Sequence, residues 1–185
     1  MNTERLALRP LTPDDADEIV RLHNDPDVMR FLNGGKPTPR ETIVRETLPR
    51  MTTTGFFAAL ERSTGAFVGW FHLRPSAEDG DGDELELGYR LHREFWGHGY
   101  ATEGSLLLIE RAFAELGARR VYAQTMTVNR GSRRVMEKCG LRFVRTFWED
   151  WDDPIDGSEQ GEVEYELLRE EWEASRYAGP PGVLV

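Results

Sequence analysis

The chain has 185 residues, enough for one domain and too few for two ordinary ones. Its 33 acidic side chains against 23 Lys and Arg give a formal net charge of −10, the wrong sign for a nucleic-acid backbone. The lone Cys139 rules out an internal disulfide and a thiolate metal cluster, and no stretch approaches the roughly 20 apolar residues of a membrane span.

The opening residues, Met1 to Pro10, alternate charged and apolar side chains where a signal peptide would run apolar without a break. Cytoplasm is therefore the expected address, with no membrane or nucleic-acid partner and no metal. Leu6 and Leu8, closed by Pro10, predict a short first strand. Thr12-Pro13-Asp14-Asp15 then supplies a cap, a proline and an acidic first turn. The helix it starts carries Ala16, Ile19, Val20 and His23 on its apolar face until Asn24-Asp25-Pro26 breaks it. Two further short helices are expected, from Val28 to Leu32 and from Arg40 to Met51.

Phe56 to Glu61 and Ala66 to Leu73, around Ser63-Thr64-Gly65, read as a hairpin. Pro75 to Asp83 is a polar, Gly-rich loop. From Glu84 the chain alternates, with Leu85, Leu87, Tyr89 and Leu91 on one face and Glu84, Glu86, Gly88 and Arg90 on the other. A long helix from Tyr100 to Leu116 has Leu107, Leu108, Ala112 and Phe113 on its buried stripe and stops at Gly117. A strand follows from Val121 to Met126, then a helix from Arg130 to Lys138 ending at Gly140. Phe143 to Trp151 and Glu162 to Leu168 give the last two strands. Residues 1–176 form the expected domain and 177–185 a loose tail. The order β-α-α-β-β-β-α-β-α-β-β predicts an α+β fold, a mixed and mostly antiparallel sheet with helices on both faces.

The junction between the alternating strand and the long helix carries the chemistry. Gly97 and Gly99 let successive N–H groups point into one concavity, and the free N–H groups and positive dipole end of the new helix face the same place. A pyrophosphate suits such a site. His98, Arg93, Arg130 and Arg133 add screening charge. A P-loop would need Lys and Ser/Thr after its second glycine, where Tyr100 and Ala101 stand. A dinucleotide fold would need a third glycine and a strand buried on both faces.

Tyr89-Arg90-Leu91, the spacer His92 to Phe95, and Trp96-Gly97-His98-Gly99-Tyr100-Ala101-Thr102-Glu103 resemble the acyl-CoA signature of the GNAT superfamily. A second block, Asn129 to Leu141, resembles that family's Asn-x-x-Ser helix and Glu-Lys-x-Gly-Phe ending. With Leu6-Ala7-Leu8-Arg9-Pro10-Leu11 added, the similarity covers nearly the whole chain and lies nearest the ribosomal-protein N-terminal acetyltransferases. The resemblance implies a GNAT fold with acetyl-CoA as co-substrate. The acetyl group would pass directly to a primary amine, either a protein N-terminus or a small cation such as a polyamine or antibiotic.

The resemblance also assigns residues. Tyr89, Arg90 and Leu91 would offer main-chain hydrogen bonds to the pantetheine arm. Trp96, Gly97, His98, Gly99, Tyr100, Ala101 and Thr102 would surround the pyrophosphate. Asn129 would hold a pantetheine amide, and Ser132 would donate a proton or hydrogen bond to the leaving sulfur; helix capping is the alternative reading of both. Two departures stand out: Glu94 replaces a usual Gln or Arg, and Met136 falls where a tyrosine acid often sits. For the base there are two candidates: Glu86 on the polar strand face, and Glu149 in the penultimate strand, where the ribosomal branch positions a water. Either is equally readable as a solvated carboxylate, and Glu103 as a first-turn helix residue. The acidic run from Glu149 to Glu173, with Arg169 as its only fixed cation, is expected to make the acceptor side negative. The competing function is a non-catalytic CoA-binding sensor or assembly module, monomeric or homodimeric like the enzyme.

Overall fold

The computed structural model describes residues 1–52, 55–76 and 82–177. Seven strands form one sheet in the order β1-β2-β3-β4-β5-β7-β6. They are β1 (Leu6–Pro10), β2 (Phe56–Glu61), β3 (Phe67–Pro75), β4 (Glu84–Leu91), β5 (Arg120–Met126), β6 (Arg142–Phe147) and β7 (Glu162–Leu168). Every neighbouring pair is antiparallel except β4 and β5. The mixed, mostly antiparallel α+β architecture is the one the sequence predicts.

The two faces carry separate cores because the strand alternation sorts side chains by parity. On one face Phe71, Leu85, Leu87, Leu91 and Val121 pack under α5 (Tyr100–Ala114) and α6 (Arg130–Lys138). Gly104 lets α5 approach closely, since a Cβ there would lie 2.3 Å from the Phe71 ring. On the other face Ala58, Phe67 and Trp70 meet Ile19 and Leu22 of α1 (Ala16–His23) and Leu48 and Met51 of α4 (Leu48–Met51). Between them lie α2 (Pro26–Asn33), capped by the Asp25 carboxylate, and α3 (Arg40–Thr42). The helix expected from Arg40 to Met51 widens into a π turn at Ile43–Thr47, just before Pro49, which has no N–H to continue the α ladder.

Three sequence readings change. Strand β6 stops at Phe147 because its partner β7 begins opposite it at Glu162, so Trp148 to Trp151, and Glu149 with them, lie outside the sheet. A last helix, α7 (Arg169–Tyr177), was not expected from its charged sequence; Trp172 anchors it on Phe113 at 5.2 Å between ring centroids. Tyr177 therefore belongs to a helix, and residues 178–185 of the expected tail lie outside the described residues, as do 77–81 of the expected Gly-rich loop. No described helix is long and apolar enough to cross a membrane.

Candidate active site

Strands β4 and β5 are the decisive pair. They hydrogen-bond only where they start, at Glu84↔Arg120, Leu85↔Val121 and Glu86↔Tyr122. Beyond that they part, so the β5-facing edge of β4 has no strand beside it from Leu87 onward. The His92 N–H donates to Val68 of β3. Strand alternation then aims the main-chain groups of Tyr89 and Leu91 into the gap and those of Arg90 toward β3. The Leu91 carbonyl already accepts from the Trp96 indole at 2.9 Å.

At the open end of this gap the chain makes a 3-10 turn (Arg93–Phe95) and enters α5. Gly97 and Gly99 take φ of +78° and +85°, left-handed values that a side chain resists. The N–H groups of six consecutive residues, 97–102, have no acceptor among the described residues. Residues 96–99 are exposed, and a Cβ on Gly97 would meet nothing within 4 Å. A row of free donors at a helix N-terminus is chemically suited to a diphosphate. The surrounding cations are less available than the sequence suggests. Arg93 pairs with Asp27, and Arg133 donates to the Tyr165 hydroxyl at 3.2 Å and the Thr127 carbonyl at 3.1 Å. His98 and Arg130 remain exposed.

Tyr89, singled out for its main chain, also uses its side chain. Its hydroxyl donates to Ser132 Oγ at 3.2 Å, and burial, only partly offset by Ser132, pushes its pKa up to about 12. Ser132 stands in the first turn of α6, capped by Asn129. The Asn129 carboxamide accepts from the Ser132 N–H at 3.2 Å and donates to Thr125 Oγ1 at 3.1 Å, so capping occupies the oxygen. Met136 is buried in the core. Cys139 is buried, and burial raises its thiol to about 12.

Where β4 and β5 still pair, the face away from α5 borders a cavity of about 590 Å³, lined by Arg74, Glu86, Tyr122, Gln124, Glu149 and Glu164 among others. Glu86 and Glu149, far apart in sequence, thus share one space. Glu86 Oε2 takes a hydrogen bond from Arg74 Nε at 2.8 Å and forms an ion pair with Arg74 Nη2 at 2.6 Å, and Glu86 lies 3.6 Å from His72 Nε2. Burial alone would raise its carboxyl, but His72 and Arg74 outweigh burial and hold it below the usual range. Such a carboxylate is a weak base. Arg90 lies on this face too, 5.0 Å over the Trp70 ring and 2.8 Å from His23 Nε2. Burial lowers its pKa to about 10, and burial with the Arg90 charge lowers His23 to about 3.

The β7 part of the expected negative wall, Glu164 and Glu166, is neutralised. Arg120 reaches Glu84, Glu164 and Glu166 at 2.9, 2.5 and 2.7 Å, Arg142 reaches Glu166 at 2.6 Å and Arg145 reaches Glu164 at 3.0 Å. The run from Glu149 to Glu173 meets these cations only because β5 and β6 flank β7. Glu162, at the head of the same strand face, has no ion pair among the described residues. Burial and then the charge of Glu149 raise it to about 7. Sequence reasoning missed it, although the period-two spacing of Glu162, Glu164 and Glu166 marks that face.

The family described as the GNAT acetyltransferase domain matches residues 5–142. The chain belongs to that family. It is 40% identical over 181 residues to the FsC-acetyl coenzyme A-N(2)-transacetylase of Aspergillus fumigatus, covering 93% of this chain and 77% of that protein. Among solved structures, a GNAT acetyltransferase from Bacillus anthracis superposes with a TM-score of 0.79 at 24% identity, over 92% of this chain and 99% of that one. A spermidine N-acetyltransferase from Vibrio cholerae, solved with CoA and spermine, superposes with a TM-score of 0.77 at 17% identity, over 92% and 99%. This GNAT chain is an N-acetyltransferase.

Proposed function

We propose that the enzyme moves an acetyl group from acetyl-CoA directly to a primary amine in the cavity bounded by Glu86 and Glu149. The observation that carries this reading is the gap between β4 and β5, with the six-donor loop at its open end and, at its closed end, the cavity lined by its last strand pair, Glu86 and Tyr122. The loop would hold the diphosphate, and the arm of the cofactor would run down the gap past Tyr89 and Leu91. The thioester would then lie where the strands meet, beside Glu86 and Tyr122. Backbone N–H groups of β4 in the gap are suited to stabilise the oxyanion.

In this scheme Glu86, held ionised, orients a cationic acceptor, while the Glu149–Glu162 pair takes its proton. An acceptor of pKa about 7.7–8.0, as for an α-amine, is matched by a group near 7, whereas a lysine-type amine near 10.4 is not. Tyr89 donates to Ser132, which leaves the Ser132 proton free for the departing thiolate. The names of the Aspergillus relative, which acts on an N(2) nitrogen, and of the Vibrio neighbour, bound to spermine, support an amine acceptor. Release of CoA from acetyl-CoA in the presence of a panel of amines tests the proposal. Tight CoA binding with no amine-dependent release would leave the sensor reading instead.

A further inference from the structure

The loop that presents the six free N–H groups is gripped from behind by Arg5, the residue just before β1. Arg5 Nη1 donates to the His98 carbonyl at 2.8 Å. In a planar trans peptide the C=O and the following N–H point in opposite directions. A guanidinium that draws the His98 oxygen toward β1 therefore turns the Gly99 N–H away from β1, into the concavity. Gly99 is the residue at φ +85°, and its nearest neighbour for an added Cβ is Arg5 Nη2 at 3.4 Å.

The same guanidinium forks onto Glu103, with Nε at 2.7 Å and Nη2 at 2.5 Å from Oε2, and its centre lies 4.6 Å over the Tyr100 ring. Glu103 Oε1 also accepts from the Arg5 N–H at 2.9 Å and from Thr3 Oγ1. Burial alone would raise the Glu103 carboxyl, but Thr3 and Arg5 outweigh it and keep it ionised. A negative charge in the first turn suits the helix dipole. It also stands within a turn of the donors that would bind a dianion, and there it repels. Arg5 cancels that charge while leaving the N–H groups free.

We infer that Arg5 is a positioning residue for the diphosphate of the co-substrate. It orients the His98–Gly99 peptide and neutralises Glu103 beneath it. This rests on the acetyl-CoA reading above. The Arg5 side chain is 44% exposed and its partner Glu103 17%, so solvent screens the pair on the arginine side and its contribution to folding is modest. Its loss is therefore expected chiefly in binding, with a small fall in stability.

The test compares acetyl-CoA with S-acetylpantetheine, which carries the thioester and lacks the diphosphate. Arg5→Met should raise KM for acetyl-CoA about tenfold, with kcat at saturation within about twofold. Its kcat/KM for S-acetylpantetheine should match wild type. Arg5→Lys should recover only part of the loss, because an ammonium cannot fork onto Glu103 and reach His98 together. Adding Glu103→Gln to Arg5→Met should recover the part due to repulsion. Equal losses on both donors would reduce Arg5 to a structural residue, and an unchanged KM for acetyl-CoA would overturn the inference outright. Absence of CoA binding by the wild-type chain would instead sink the acetyl-CoA reading, and the inference with it.

Discussion

The donor loop and the acceptor face are built by different means. The loop is contiguous: two glycines, a helix start and six backbone donors occupy residues 97–102. The acceptor face is assembled from side chains on β3, β4, β5, β6, β7 and the segment after β6, and its charge depends on which arginine meets which glutamate. Backbone donors remain donors when most side chains change, their aim resting on Gly99 and Arg5, whereas a side-chain cavity is retuned by many single substitutions. The donor half is thus expected to be rigid in its demands and the acceptor half graded.

The sharpest way to break that contrast is Gly99→Val. A β-branched residue at φ +85° is strained by about 1–3 kcal/mol, and relief of that strain would re-aim the donors. CoA affinity measured by calorimetry should fall about a hundredfold. Unchanged affinity would remove the loop from the site. Ser132→Ala should lower kcat by a similar factor of about a hundred while moving the CoA dissociation constant little, since its contact strengthens only as the sulfur gains charge. Tyr89→Phe should do the same to a lesser degree. Equal losses in binding and turnover would return Ser132 to capping.

On the graded side, kcat/KM should rise with pH through about 7 as Glu162 loses its proton. Glu162→Gln should flatten that limb, and Glu149→Gln should displace it downward by removing the repulsion on Glu162. A pH profile indifferent to both substitutions would exclude the pair as proton acceptor. The smallest effect is thermodynamic. The folded-state pKa of Glu162, about 7, lies above its unfolded value, so the native state binds the extra proton between roughly pH 4.5 and 7. Stability should therefore fall as pH rises across that window. The melting temperature of Glu162→Gln should lack that decline, and a parallel decline in both proteins would show that Glu162 is not responsible.

The sequence determined what depends on near neighbours. The two glycines before an apolar helix specify left-handed turns and free N–H groups locally, so the donor loop was legible as it stands. The period-two run from Glu84 to Leu91 likewise fixed which face of β4 meets α5. Register, partner strands and docking lay beyond that reach. Glu149 left β6 because β7 begins at Glu162, a limit set by a strand paired across a turn. Glu164 and Glu166 lost their bare charge to Arg120, Arg142 and Arg145, cations that only strand adjacency brings near. Helix α7 exists through one apolar anchor, Trp172 on Phe113, and through Arg169 donating to the Ala118 and Phe113 carbonyls at 2.9 and 2.8 Å. Tyr89 met Ser132, and Arg5 met the His98 carbonyl, across separations no local pattern encodes. A backbone conformation is chosen by a few adjacent residues, but a side chain's charge and hydrogen bonds are chosen by whatever the sheet sets beside it.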